Sequence, residues 1–274
     1  MTAIDIPSLP NPLQDADLIS ERLAGKRLAV FLDYDGTLTP IVERPDDAII
    51  SASMRAVVRE LARRCTVCVV SGRDRAVVQQ LMGVVDLIVA GSHGFDIWSP
   101  NGGALERDEG ARFAELIARV TDTLKDRTRD IAGALVEPKK SSVAVHYRLV
   151  AEQDRSRVKA IVDDLLTSEQ GALKVTPGKM VYELQPQIDW DKGKAVLYLL
   201  DALELDAADV VPLYVGDDIT DEHAFQALYG RGIGILVADP ADPAAAGRTT
   251  AAEYALRDTH EVETFLDGLA RGAV

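Results

Sequence analysis

The run Arg27 to Leu32 constrains this chain more than any other segment. From Leu28 on it holds no polar residue, so as a strand it must be covered on both faces, as strands inside a parallel sheet are. It leads directly into Asp33-Tyr34-Asp35-Gly36. A buried strand delivers Asp33 to its carboxyl end, Gly36 lets the backbone turn, and the carboxyl edge is where open α/β sheets bind ligands. Asp and Gly are also ordinary turn residues after a strand, so the motif alone does not separate a site from a turn. A calcium loop of the EF-hand kind is excluded: it needs Glu at its twelfth position, and counting from Asp33 that place holds Arg44. Two carboxylates so close repel unless a cation stands between them. Mg²⁺ takes one or two carboxylates with waters and phosphate oxygens, and the chemistry this suggests is phosphoryl transfer through an aspartyl-phosphate.

Four more apolar runs have the length of buried strands, at 65–70, 87–90, 211–215 and 233–237. Helical spacing fills 53–63, 75–82, 192–203 and 221–228. This alternation predicts an α/β fold, a doubly wound, mostly parallel sheet with right-handed crossovers. The middle of the chain breaks the rhythm. Ser99, Pro100, Asn101, Gly102 and Gly103 make a turn cluster. A helix is expected over 111–130, strands at 133–137 and 142–148, a helix over 152–167, and strands at 172–176 and 179–184. The order αββαββ reads as an inserted, smaller α+β domain over 106–184, with 1–105 and 185–274 joining into one core.

The net charge of −14 disfavours nucleic acid or an anionic membrane as partner, but a local cation cluster still permits an anionic small-molecule substrate. No stretch approaches the ~20 apolar residues of a membrane span, and the opening Met1-Thr2-Ala3-Ile4-Asp5 does not read as a signal peptide. A cytoplasmic monomer is the expectation. Cys65 and Cys68 have the spacing of a metal pair, yet there is no second pair and no nearby His, and positions three apart on a strand face opposite ways. They read as small hydrophobes in a reducing compartment.

Three core strands end in polar groups: Asp33; Ser71-Gly72-Arg73; and Gly216-Asp217-Asp218, followed by Asp221. In a parallel sheet all three clusters reach one edge. Asp217 and Asp218 can then join the cation site of Asp33, while the Ser71 hydroxyl and the amides of Gly72 and Arg73 offer donors to phosphate oxygens. Ser71, Asp218 and Thr220 equally suit helix caps. Lys192, in Asp191-Lys192-Gly193-Lys194, reads from spacing alone as well as a solvated lysine as a functional one, and Gly193 favours close backbone approach.

Asp33-Tyr34-Asp35-Gly36-Thr37, Ser71, Lys192 and Gly216-Asp217-Asp218-Ile219-Thr220-Asp221 resemble, in order and spacing, the motifs of the haloacid dehalogenase-like phosphatases with a late-inserted cap. The resemblance implies Asp33 as nucleophile, Asp35 as general acid/base, and Ser71 and Lys192 as holders of the phosphoryl group. It implies Mg²⁺ on Asp33, Asp217 and the main-chain carbonyl of Asp35, with Asp218 and Asp221 at or beside the metal. Gly91-Ser92-His93-Gly94, Glu137-x-Lys139, His146-Tyr147-Arg148, Gly178-Lys179-x-x-Tyr182-Glu183 and Asp191-Lys192-Gly193-Lys194-Ala195 further resemble the trehalose-6-phosphate phosphatases. That narrower likeness implies a phosphorylated disaccharide as substrate. It implies sugar contacts from Glu137, Lys139, Arg148, Lys179 and Glu183, and adds Arg73 and His93 to the substrate-binding set. Strand parity alone puts Glu137 with Lys139, His146 with Arg148, and Lys179 with Glu183 on shared faces, which a solvated charged face would also explain. Asp96 and Gln185 depart from the family pattern, where Glu and Arg are usual.

Other readings stay open at this point. The motifs also suit a phosphatase for sucrose phosphate or a glycosyl-phosphoglycerate, or a phosphotransferase that shields its phosphoenzyme from water. A non-catalytic phosphosugar sensor is disfavoured because Asp33 and Asp35 are both present.

Overall fold

The computed structural model describes residues 4–100, 107–108 and 113–272. Asn101, Gly102 and Gly103 of the expected turn cluster, and residues 111–112 at the expected helix start, lie outside that range. In chain order the elements are β1 (Ile4–Asp5), α1 (Ala16–Leu23), β2 (Arg27–Leu32), α2 (Ala52–Ala62), β3 (Thr66–Val70), α3 (Arg75–Met82), β4 (Ile88–Gly91), β5 (Asp96–Trp98), β6 (Arg107–Asp108) and α4 (Ala114–Thr128). There follow β7 (Leu135–Pro138), β8 (Val143–His146), α5 (Glu152–Ser168), β9 (Leu173–Gly178), β10 (Val181–Pro186), α6 (Lys192–Ala202), β11 (Val210–Gly216), α7 (Glu222–Leu228), β12 (Ile233–Val237), β13 (Thr249–Thr250), β14 (Tyr254–Leu256) and α8 (Thr259–Arg271).

The chain divides into two units, one made of residues 1–107 and 191–274, the other of 108–190. The first carries an eight-stranded sheet in the order β14-β12-β11-β2-β3-β4-β5-β6. From β14 to β4 every neighbouring pair is parallel, and β5 returns antiparallel to β4. The α/β expectation therefore holds, because β2, β3, β11 and β12 are largely apolar runs whose residues nearest the carboxyl end are buried on both faces. On one face Val30, Leu32, Val67, Val69, Leu213 and Val215 share a core with Val58 and Leu61 of α2 and Phe265 and Leu266 of α8. Polar side chains fix where the helices begin: Ser51 accepts the amide of Met54, Asp191 that of Lys194, and Asp258 those of His260 and Glu261.

The second unit is a four-stranded antiparallel sheet, β7-β8-β10-β9, with α4 and α5 on one face. Val143, Val145 and Leu184 pack against Ile117, Val120 and Leu124 of α4 and Val158, Ile161 and Leu165 of α5. This unit runs on to Trp190, beyond the expected end at residue 184. Pro186 still pairs with Leu173, and Lys174 Nζ binds the carbonyls of Ile188 and Trp190. The β8 strand stops at His146, not 148, because Tyr147 and Val150 close a turn. Cys68 is fully buried and Cys65 half-buried, and both are free thiols. Burial pushes the Cys65 thiol up to about 11 and Cys68 further, so neither is a ready metal ligand. Among the described residues, no helix is long and apolar enough to cross a membrane.

Candidate active site

Register decides which residues meet at the sheet edge. Leu32 lies level with Val215 on one side and Val69 on the other, and Val70 with Ala90. Asp33 and Ser71, the next residues, and Asp217, one step further past Gly216, therefore leave the sheet together at its carboxyl edge. Backbone bonds extend the ladder by one step, from Asp33 N to Val215 O and from Ser71 N to Ala90 O, each 2.9 Å. Gly36 turns the chain at φ +81°, and a Cβ there would stand 2.1 Å from Asp217 Oδ2. Only glycine lets the loop after β2 come this close to the loop after β11.

Lys192, at the first turn of α6, puts its ammonium between two carboxylates, 2.9 Å from Asp33 Oδ1 and 2.7 Å from Asp221 Oδ1. It is 2 % exposed. The helix can start here because Gly193 packs against the carbonyl of His223, which a Cβ would approach to 2.3 Å. Burial pulls the Lys192 pKa down, but Asp221 and Asp33 together outweigh it and hold the ammonium well above its usual range. Asp33 is raised well above the usual carboxylate range, by burial first, with Lys192 opposing and Asp221 and Asp217 adding.

Asp221 organises the cluster. Its Oδ1 accepts from Lys192 and from the Tyr214 hydroxyl at 2.6 Å, and its Oδ2 accepts the amides of Asp217 and Asp218, each at 2.9 Å. Asp33, Asp217 and Asp221 have carboxylate oxygens within 4.8 Å of one another. Were all three carboxylates ionised, they would outnumber the Lys192 ammonium by two charges in a buried place, and hard oxygen donors of that kind fit a divalent cation. Asp221 already accepts from four donors, so Asp33 and Asp217 are the carboxylates of this group that would hold such an ion. Asp218 is not in that group. Its Oδ1 accepts the amide of Ile219, so its side chain serves the helix start.

Asp35 and Arg73 face each other. Both Asp35 oxygens are taken by the guanidinium, at 2.6 Å from Nε and 2.6 Å from Nη2. The Ser71 hydroxyl is buried and accepts the Arg73 amide at 3.1 Å, which keeps its own proton available to a ligand. Ser92 and His93 sit at positive φ, 49° and 57°. Their amides bind Arg73 O at 2.7 Å and Ser71 O at 2.8 Å, which fixes the loop after β3. Buried Asp96 pairs with Arg75 at 3.0 Å.

Within the second unit, one cross-strand row holds Glu137, Ala144, Glu183 and Thr176, on the sheet face opposite the helices. Glu183 accepts the Ser142 hydroxyl at 2.6 Å and lies 3.1 Å from Lys139 Nζ, and both charges are about nine-tenths buried. Glu137 meets His146 at 2.7 Å. Gln185 stands opposite Lys174 in the next row. Arg148 and Lys179 lie in turns, where strand parity no longer applies, and Arg148 donates to the Lys179 carbonyl at 2.8 Å.

Spacing alone did not single out Tyr214. A phenol in an otherwise aliphatic strand was the available signal, because a buried hydroxyl needs a partner.

The family model for trehalose-phosphatase matches residues 31–259. A probable trehalose-phosphate phosphatase 4 of Oryza sativa subsp. japonica is 41% identical over 267 residues, covering 94% of this chain and 70% of its own. The trehalose-phosphate phosphatase of Mycobacterium tuberculosis is 41% identical over 96% of this chain and 66% of its own. The chain thus spans about two thirds of the length of these relatives. The C-terminal domain of the C. albicans trehalose-6-phosphate phosphatase shares the fold with a TM-score of 0.79 at 23% identity, covering 99% of each chain. The Aspergillus fumigatus trehalose-6-phosphate phosphatase superposes with a TM-score of 0.64 at 26% identity, over 97% of this chain and 100% of that one.

Proposed function

The chain belongs to the trehalose-phosphatase family, and on that premise we propose that it hydrolyses trehalose 6-phosphate to trehalose and inorganic phosphate through an aspartyl-phosphate on Asp33. The enzyme class, a phosphoric monoester hydrolase, follows from the family. The observation that carries the mechanism is Lys192 held between Asp33 and Asp221 beside Asp217.

Asp33 Oδ1 is paired with Lys192, and the other oxygen is the nucleophile. It attacks phosphorus while the bond from phosphorus to the sugar oxygen breaks. Lys192 and the Ser71 hydroxyl hold the phosphoryl oxygens, and Asp35 gives the departing sugar oxygen its proton. Water then attacks the aspartyl-phosphate, Asp35 takes the water's proton, and the bond to Asp33 breaks to release phosphate. A Mg²⁺ ion held by Asp33 and Asp217 would neutralise charge on the phosphoryl oxygens. The second unit is the substrate-selecting domain in this reading, and Glu183, Lys139 and Glu137 on its polar sheet face read sugar hydroxyls, with Arg148 and Lys179 at its turns.

The test is phosphate release from a panel of phosphorylated mono- and disaccharides with Mg²⁺. Trehalose 6-phosphate should lead the panel in kcat/KM. A higher value for sucrose phosphate or a glycosyl-phosphoglycerate would replace the substrate.

A further inference from the structure

Arg73 was expected at the phosphate, yet its side chain is spent elsewhere. Nε and Nη2 grip both oxygens of Asp35. Nη2 also donates to the carbonyl of Pro45 at 2.8 Å. The guanidinium lies 5.5 Å from the centroid of the Tyr34 ring, whose hydroxyl donates to the carbonyl of Ala48 at 2.9 Å. The Arg73 side chain is only 10% exposed. Its main chain is equally fixed, with the amide on Ser71 Oγ and the carbonyl on the Ser92 amide. A planar fork that makes two parallel bonds, a third to a carbonyl and a stack on a ring is a task for arginine, and an ammonium cannot reproduce it.

We propose that Arg73 is a positioning residue: its guanidinium sets the direction of the Asp35 carboxyl group and ties it to the segment 40–50 through the Pro45 carbonyl. The proposal rests on Asp35 as the proton donor of the reaction above. With both Asp35 oxygens accepting from Arg73, one of these bonds must open and that oxygen must carry a proton, the one taken from water in the previous turnover, before Asp35 serves the sugar oxygen. Arg73 therefore acts through Asp35, and its influence scales with how much proton help the leaving group needs.

Arg73→Lys and Arg73→Ala, each alone and combined with Asp35→Asn, are assayed on trehalose 6-phosphate and on p-nitrophenyl phosphate, whose leaving group needs little proton help. Thermal melts of each variant check folding, and Arg73→Lys keeps the charge where Arg73→Ala is unstable. The readout is kcat/KM, which reports the step that expels the leaving group, because the water step that Asp35 also serves is common to both substrates. Arg73→Lys should lower kcat/KM on the sugar phosphate by about tenfold or more, a part of the ~10²–10⁴ that general acid help contributes, and should leave kcat/KM on the aryl phosphate within about threefold. In the Asp35→Asn background Arg73→Lys should cost nothing further. Equal losses of kcat/KM on both substrates make Arg73 a phosphate ligand and overturn the proposal. So does an unchanged kcat/KM on the sugar phosphate, or an undiminished loss in the Asp35→Asn background. If Asp35→Asn alone lowers kcat/KM equally on both substrates, the proton-donor reading itself has failed, and Arg73's role goes with it.

Discussion

Lys192 Nζ stands 2.9 Å from Asp33 Oδ1, with both side chains more than nine-tenths buried. An ion pair this deep is no sign of a stable fold, because desolvating two charges offsets most of their attraction. It is a sign of where negative charge is meant to gather. The ammonium is kept charged by two carboxylates, and in the proposed reaction the phosphoryl group would meet it as a third anion already in place.

Lys192→Met should remove nearly all turnover and also destabilise the protein by about 3–5 kcal/mol, since Asp33 and Asp221 lose their buried partner. Urea melts beside phosphate-release assays measure both. A variant as stable as the wild type would mean that the carboxylates are not both charged in the folded protein.

Asp33→Asn should abolish turnover with the fold retained. The amide cannot attack phosphorus, and removing one negative charge relieves the repulsion from Asp217 and Asp221 that helps raise the Asp33 pKa. Turnover of more than a few per cent in a clean preparation, roughly the level at which a nucleophile assignment stops being tenable, would take Asp33 out of that role.

Chelation with EDTA should stop turnover, and Mg²⁺ should restore it. Mg²⁺ at about a hundred times its dissociation constant should add ~2.7 kcal/mol of stability, a rise in Tm of roughly 5–10 °C. Asp217→Asn should shrink that rise, while Asp218→Asn should leave most of it, because the Asp218 side chain binds the Ile219 amide. Full activity after chelation would remove the cation from the mechanism.

Tyr214→Phe removes one of four donors to Asp221. A hydrogen bond to a charged acceptor contributes about 1.5–3 kcal/mol, so a loss of that size in urea melts is expected. Turnover should fall far less than in Lys192→Met, because Lys192 and two amides still hold Asp221. A larger catalytic than structural effect would give Tyr214 a direct part in the reaction.

Glu183→Ala should lower kcat/KM for trehalose 6-phosphate by roughly 10- to 100-fold, the range set by leaving a buried charged partner unmatched. The rate on p-nitrophenyl phosphate should stay near that of the wild type. Equal losses on both would place Glu183 in folding, where its bonds to Ser142 and Lys139 would account for the effect.

The catalytic edge was legible because it depends on strand ends. Apolar runs mark buried parallel strands, and whatever follows Leu32, Val70 and Val215-Gly216 must emerge on one side. Side-chain direction beyond the strand was not legible. Asp217, Asp218 and Asp221 have the same chemistry and nearly the same place, and only the backbone path after β11 turns Asp221 inward and Asp218 to the helix start. Arg73 is long enough to reach a phosphate or Asp35, and spacing carries no information on the choice. Parity, which pairs Glu137 with Lys139, His146 with Arg148 and Lys179 with Glu183, presumes unbroken strands, and Lys139, Arg148 and Lys179 lie just beyond strand ends; it is register that puts Glu137 and Glu183 in one row. Strands of two or three residues towards the ends of the large sheet, such as β5 and β14, are too short for an alternating pattern to register.

The strand that delivers Asp33 pairs on one side with β3, made soon after it, and on the other with β11, which begins only at Val210. Everything from 108 to 190 is synthesised in between, and that stretch owns a core drawn wholly from its own residues. On the ribosome the later-numbered domain is therefore complete first, while the edge of β2 stays open until some 180 residues after Arg27 have been made. An unpaired apolar edge held open that long is a hazard for strand-to-strand association between nascent chains. Asp33 does not acquire its ion partner and carboxylate neighbours until the late segment bearing Lys192, Asp217 and Asp221 arrives, so in the proposed reading an incomplete chain has no assembled site.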